Sequence, residues 1–219
     1  MSDKQSAQFL GQLKNKCIAM ETLSALLNET AVTQYLEEHY HVSYERELLN
    51  EILKTIQQND LKQLKWFHQF GDGLRTIIFN VYAFRCGLKF GFAEIDFDEY
   101  GWLTRPLFLD QEELRFGLTE RDRYGSYSTV TLGKGPNNKW TYGMSIAYGT
   151  AGSSSGICVY TPIFSSREDA LHHAIQKLKN AMASKVGNKD TTNYNQKIIL
   201  ATLRSIEKIQ VAEVQLCFF

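Results

Sequence analysis

Residues 127–148 read YSTVTLGKGPNNKWTYGMSIAY. In the second half of this stretch, large side chains alternate with small ones, at Trp140, Tyr142, Met144, Ile146 and Tyr148. This period of two is typical of a strand with one buried face. The glycine, proline and asparagine residues at 133–138 are typical of a turn. The stretch therefore predicts an antiparallel β-hairpin.

Period-two patterns continue on both sides of this hairpin. We predict an antiparallel sheet of four to six strands with a single covered face, from these candidates: Lys89–Phe97, Trp102–Phe108, Glu113–Thr119, Tyr127–Leu132, Lys139–Tyr148 and Gly156–Pro162. Ser165 and Glu168 form a capping-box pattern, which predicts a helix from Ser165 to about Ser184 that covers the sheet. A final helix is predicted around Ile199–Ile209.

The chain before this sheet is predicted to be helical. Asn28 and Thr30 are candidate N-cap residues for a short helix, and Ser43 is a good N-cap for the helix that follows. Apolar side chains then recur at alternating intervals of three and four over residues 67–88, which predicts that the segment 60–88 is a helix with a kink at Gly71 and Gly73. The β-branched residues at 76–81 favour a strand instead, but the helical period is unbroken. The fold class is therefore α+β, with a helical part over 1–88 and a sheet plus two C-terminal helices over 89–219.

Composition narrows the class of protein. The chain has 219 residues, 24 basic and 24 acidic side chains and 43% hydrophobic residues, which is typical of a soluble globular protein. Its start lacks a signal-peptide pattern, and no apolar run approaches the length of a membrane span, so we expect a cytoplasmic location. The four cysteines lie far apart, and no zinc or redox motif is formed. No cofactor is expected.

The balanced charge is unevenly distributed along the chain. Residues 124–219 carry ten basic and five acidic side chains, a net charge of +5, and residues 1–123 carry the opposite excess. Aromatic and basic residues mix in the sheet part, as a protein interface or a nucleic-acid surface requires. The same aromatic rings also suit a hydrophobic core. The candidate binding residues are Arg121, Arg123, Tyr127, Lys134, Lys139, Trp140 and Tyr142.

Two motifs suggest chemistry and have simpler explanations. Glu94, Asp96 and Asp98 alternate, so on a strand they share one face and are candidates to hold Mg²⁺ or Ca²⁺ in a metal-dependent enzyme. A solvated acidic face is the explanation that we prefer. The loop from Gly149 to Gly156 resembles a phosphate-binding loop in composition, but it leads to no helix and lacks the Gly-Lys-Ser/Thr ending. We therefore expect no catalytic site.

The run WTYGMSI at 140–146, a glycine and serine loop, and FSSREDALHHA at 164–174 follow one another closely. Over residues 127–182 this arrangement resembles the small hairpin-plus-helix domains of phage and plasmid accessory proteins. The resemblance implies an accessory protein of a mobile element that acts by binding host or viral macromolecules. It assigns no catalytic residue.

Together these features lead to two hypotheses of function. The first is a non-catalytic accessory or regulatory protein that binds a protein partner, with a host defence complex as its suggested target. The alternative is a nucleic-acid-binding protein that uses the basic, aromatic C-terminal part. The oligomeric state stays open.

Overall fold

A computed structural model describes residues 27–118 and 126–216 of the chain, with the backbone alone over 210–216. The described helices are α1 (Glu29–Glu38), α2 (Ser43–Gln57), α3 (Leu61–His68), α4 (Leu74–Leu88), α5 (Arg167–Ala183) and α6 (Gln196–Leu216). The strands are β1 (Leu109–Gly117), β2 (Tyr127–Lys134), β3 (Trp140–Ala147) and β4 (Gly152–Ser155). Helices lie before and after an antiparallel sheet, so the predicted α+β class is confirmed.

The chain divides into two compact units. The first contains the described residues up to Arg85 together with Glu94–Thr104, and the second contains Cys86–Ala93 and the described residues from Arg105 onwards. The first unit carries six basic and twelve acidic side chains among its described residues, and the second carries thirteen and eight. The two units therefore have opposite net charges of −6 and +5.

The first unit is held together by apolar faces of its helices. The apolar side chains spaced at three and four along α2 and α4 pack into one core, whose fully buried members include Leu49, Ile52, Phe67, Phe70, Ile77 and Val81. The helical prediction for 60–88 is confirmed. The helix is interrupted between His68 and Leu74, which gives the two helices α3 and α4 where a single kinked helix was predicted. Gly71 has φ +148°, and a Cβ there would lie 2.7 Å from a methyl carbon of Thr76, so the break requires glycine.

The second unit is a four-stranded sheet in the order β1-β2-β3-β4. The predicted hairpin of β2 and β3 is confirmed, with Leu132 paired to Tyr142 and Val130 to Met144. Helix α5 packs on the face that carries these side chains and buries Leu171, Ala174 and Leu178. Helix α6 packs against the same core through Ile199 and Ile206.

Three predicted strands are wrong. Residues 89–97 begin with a turn in which Gly91 takes φ +90°, and the only pairing among 97–103 is a single bridge between Phe97 and Leu103. Residues 102–108 leave that turn through Pro106, which has no N–H to donate to a ladder. Residues 156–162 also form no strand, and the fourth strand lies in the preceding glycine and serine stretch instead. The loop interpretation of 149–156 is therefore wrong for Gly152–Ser155.

The prediction of a single covered face also needs correction. Thr141 points away from α5 and is fully buried, and its hydroxyl donates to the carbonyl oxygen of Pro162 at 2.8 Å. A Cβ on Gly143 would lie 2.7 Å from the Ile157 backbone nitrogen. The segment after β4 therefore runs across the second face of the sheet, which the strand pattern alone did not reveal.

Helix caps are placed one residue from two of the predicted positions. Helix α5 is capped by Ser166, whose hydroxyl accepts from the Asp169 backbone N–H at 3.0 Å, and Ser165 lies one residue earlier. Helix α2 is preceded by Val42, whose N–H donates to the Glu45 carboxylate at 3.2 Å. The Asn28 cap on α1 is confirmed by its 2.8 Å hydrogen bond from the Ala31 N–H. Among the described helices, none is long and apolar enough to cross a bilayer.

Candidate functional site

Four of the seven predicted binding residues come together at one end of the sheet. Lys134 ends β2 and pairs with Trp140 at the start of β3, while Lys139 precedes Trp140 and Tyr142 follows it. Phe164, which bridges to Trp140, and the middle of α5 complete a surface that we call the Trp140 surface: Lys134, Lys139, Trp140, Tyr142, Phe164, His173 and Lys177. Arg121 and Arg123 lie outside the described residues.

Trp140 is fixed by its backbone and flanked by a cation. Its N–H and C=O pair with the C=O and N–H of Phe164, each at 2.9 Å, so Phe164 extends the sheet beside β3. The Lys134 ammonium lies 5.8 Å from the centre of the indole ring and also contacts the Asp110 carboxylate. The indole is half-buried, because one side packs on the sheet core.

Tyr142 is the buried member of the surface. Its side chain is only 3% exposed, and its hydroxyl lies 2.9 Å from His173 Nδ1. Burial raises the pKa of the Tyr142 phenol, because the phenolate would lose its hydration. The phenol therefore stays protonated at neutral pH and can donate to Nδ1 of the imidazole. Tyr142 positions its neighbours, and its burial leaves little of it for a partner to touch.

The rings of Tyr142, Phe164 and His173 form a closed cluster. Their centroids are 5.2 to 5.9 Å apart, within the range of favourable aromatic contacts. The Lys177 ammonium lies 6.0 Å from the Tyr142 ring, on the same face of α5 as His173. The i, i+4 spacing of His173 and Lys177 was the available signal for these two residues, and sequence reasoning missed it along with Phe164.

Charged groups line the rim of this cluster. Arg167, at the start of α5, makes a bidentate ion pair with Glu112 of β1, with N–O distances of 2.6 to 2.9 Å. Lys139 reaches the Ser165 hydroxyl at 3.5 Å, and Lys177 is exposed. The arrangement can offer aromatic edges and cations to a partner, and it fixes them through strand pairing and side-chain contacts.

Tyr127 is separated by the sheet from the four predicted residues of the Trp140 surface. It pairs with Gly117, and its ring lies 5.0 Å from the Arg115 guanidinium carbon. In the register of β2 it alternates with Val130, Leu132 and Lys134, so it points to the opposite face. Arg115 in turn donates to the Glu113 carboxylate at 2.9 Å.

Glu94, Asp96 and Asp98 lie in the loop of the first unit and not on a strand. Asp98 accepts hydrogen bonds from the N–H groups of Tyr100 and Trp102, each at 2.9 Å, and so stabilises a tight turn. Asp96 accepts from the Thr104 hydroxyl at 3.3 Å. Within 27–118 and 126–216, no group of three or more histidine, cysteine, aspartate or glutamate residues is placed to hold a metal ion.

Comparison of the chain with protein-family models, with curated proteins and with solved structures finds no match.

Proposed function

We propose that the protein is a binding protein that acts without chemistry, and that another protein docks on its Trp140 surface. The observation that carries this proposal is the half-buried pair of Trp140 and Phe164, held by reciprocal backbone hydrogen bonds and bordered by cations. Tryptophan, tyrosine and arginine are the residues that dominate binding energy at protein interfaces.

Rigidity supports a role in recognition. Tyr142 is held by His173, Lys139 lies beside Ser165, and Arg167 is clamped by Glu112. A surface fixed in this way loses little side-chain entropy when a partner docks. The rim mixes both signs of charge, through Asp110 beside Lys134 and Glu112 beside Arg167, which suits a protein partner better than a uniformly anionic one.

The kind of partner is proposed from the resemblance of residues 127–182 to mobile-element accessory domains. An accessory protein of a phage or plasmid gains from blocking a host defence complex. Such a complex is therefore the target that we propose for this surface.

The experiment is affinity capture from nuclease-treated host extracts with the tagged full chain. The test variant is Lys139→Glu/Lys177→Glu, because both cations reach the surface and their replacement leaves the core intact. The matched control is Lys189→Glu/Lys208→Glu, which makes the same change of charge at exposed positions elsewhere in the second unit. A partner held by the wild type and the control, and lost from the test variant, is expected. Equal retention by all three proteins would refute this surface.

Nucleic acid is the second candidate, favoured by the net charge of +5 on the described part of the second unit. Affinity that falls steeply with salt is expected if several of these cations contact phosphates. Gel shifts with single-stranded and double-stranded DNA and RNA at low salt test this candidate. The absence of a shift at micromolar protein would end it.

A further inference from the structure

The loop of the first unit ends in a tight turn at residues 98–102. The Asp98 carboxylate accepts two backbone hydrogen bonds, and the Asp98 N–H donates to the Trp102 carbonyl oxygen at 2.9 Å. Gly101 takes φ +79°, a conformation that other residues rarely adopt. The turn thus has a single well-defined backbone path.

A buried asparagine fixes this turn to the helical core. Asn80 is 2% exposed, and its amide nitrogen donates to the carbonyl oxygens of Phe70 and Gly101 at 2.8 and 2.9 Å. Its side-chain oxygen accepts from the Leu103 N–H at 2.9 Å. The three hydrogen bonds restrict the backbone of the turn, because breaking them would leave buried polar groups without hydrogen-bond partners.

This rigid turn presents two aromatic side chains to solvent. Tyr100 is 76% exposed and Trp102 is 41% exposed. The Trp102 ring makes an edge contact with Phe79 of α4, at 6.2 Å between centroids, and the Arg75 guanidinium lies 5.8 Å from the Phe79 ring. The chain therefore already contains one cation stacked on this group of rings.

Within residues 94–104, which include the two rings, every charged side chain is acidic, while the cation Arg75 lies beside Phe79. Residues 94–104 carry four carboxylates, at Glu94, Asp96, Asp98 and Glu99, and no lysine or arginine. All four are exposed, and none forms an ion pair with any other described residue of the chain. The first unit as described has a net charge of −6, so the field around the turn attracts cations.

We propose that the turn is a second docking surface, which takes a protein segment bearing arginine or lysine side chains. The cationic side chains of the partner stack on Tyr100 and Trp102 and pair with the carboxylates of Glu94 and Glu99. Nucleic acid is the wrong occupant, because its phosphates would face four carboxylates. Rigid presentation of the rings lowers the entropy lost on binding. This surface belongs to the first unit and does not depend on the Trp140 surface.

The test uses the full chain and fluorescence anisotropy of a labelled, acetylated eight-residue peptide in which arginine alternates with leucine. A matched peptide has glutamate in place of every arginine. We expect binding of the arginine peptide alone, weakened by salt and by about tenfold or more in Tyr100→Ala/Trp102→Ala. Tyr40→Ala is the control for the rings, because Tyr40 is a 90% exposed tyrosine of the same unit outside the turn.

A second pair of variants tests the charges without removing a packed ring. Glu94→Lys/Glu99→Lys should abolish binding of the arginine peptide, and Glu37→Lys/Glu47→Lys, an equal charge change at exposed positions of α1 and α2, should leave most of the binding in place. Equal binding of the glutamate peptide, equal loss in Tyr40→Ala, or no binding of the arginine peptide would each overturn the proposal. So would a dimer of the chain that Trp102→Ala dissociates, since a second copy would then be the occupant.

Discussion

The two candidate surfaces, one in each unit, present their tryptophan and tyrosine side chains in different ways. In the first unit Tyr100 and Trp102 stand on a turn outside the helical core, where hydrogen bonds of Asn80 and Asp98 hold the backbone. In the second unit Trp140 and Tyr142 lie on the sheet face that α5 covers, where strand pairing holds the backbone and packing on the core holds the rings.

The comparison separates two ways to build a rigid aromatic surface. Both surfaces have a fixed backbone, but the turn leaves its two rings open to a partner, whereas the helix packed on the strand covers part of Trp140 and nearly all of Tyr142. Tyr100 and Trp102 on the turn are therefore 76% and 41% exposed, whereas Tyr142 on the strand is 3% exposed. Four substitutions test this contrast, beginning with the largest expected effect.

Gly143→Val should destabilise the second unit most. The added Cβ would lie 2.7 to 2.8 Å from the backbone of residues 155–157, which cannot move aside as a side chain could. We expect a loss of about 3 kcal/mol in the free energy of unfolding, from overpacking on the second face of the sheet. Urea unfolding followed by circular dichroism measures it. Gly156→Ala is the control, because a Cβ there meets open space. Equal midpoints for the two variants would contradict the covered second face.

Asn80→Ala should release the turn of the first unit. It removes three hydrogen bonds and leaves the polar groups of Phe70, Gly101 and Leu103 without this partner, at a cost of about 2 kcal/mol. Amide hydrogen exchange should accelerate over residues 98–104 beyond the general loss of stability. Asn50→Ala, at an exposed position of α2, is the matched control. Unchanged protection of the turn would show that Asn80 does not hold it.

Tyr142→Phe should cost about 1 kcal/mol at neutral pH, through loss of the hydrogen bond to His173. Because burial raises the pKa of Tyr142, the stabilisation from the neutral phenol is fully present below the unfolded pKa, near 10. It is lost as pH rises through the higher folded pKa. Between pH 7 and 11, the free energy of unfolding should therefore fall less steeply in the variant than in the wild type. Tyr127→Phe, on the other face, is the control. Parallel profiles would contradict the burial of the phenol.

Asp190→Asn should have the smallest effect. Hydrogen bonds from the Asn193 side chain and backbone lower the pKa of this exposed carboxyl. Its contribution is present above the unfolded pKa, near 4, and is lost as pH falls through the lower folded pKa. The variant should melt slightly below the wild type at pH 7 and at the same temperature at pH 2, by calorimetry. Asp72→Asn in the first unit is the control. An identical melting temperature of Asp190→Asn and the wild type at pH 7 would show that the charge of the Asp190 carboxylate does not stabilise the protein.

Much of the second unit was predictable because its signals are local. The alternation from Trp140 to Tyr148 predicted β3 and its partner β2, since every second side chain of a strand points to the same face. The periodicity that predicted α4 through Ile77 and Val81 is local in the same sense. Both patterns gave correct predictions, because an element that is buried on one side places its apolar residues at the spacing of that side.

The candidate sites were predictable only in part. Lys134 and Trp140 are neighbours by strand register, but the sequence pattern ended β2 at Leu132 and placed Lys134 in the turn. Phe164 and His173 meet Tyr142 across more than twenty residues, so only packing of the chain brings them together. Tyr127 is a tyrosine of the predicted set, like Tyr142. Its position in β2 nevertheless places its side chain on the other face of the sheet.

By itself the sequence determined the α+β class, the central hairpin, the helical faces and the opposite charges of the chain's two ends, because these depend on short-range spacing and on composition. The tertiary structure decided which segments covered the sheet and which carboxylates capped a turn. It also decided that Trp102 is exposed while Tyr142 is buried. Those outcomes depend on long-range contacts, which decide whether a segment such as 156–162 pairs as a strand or covers apolar surface of the sheet. Local propensity does not specify this choice.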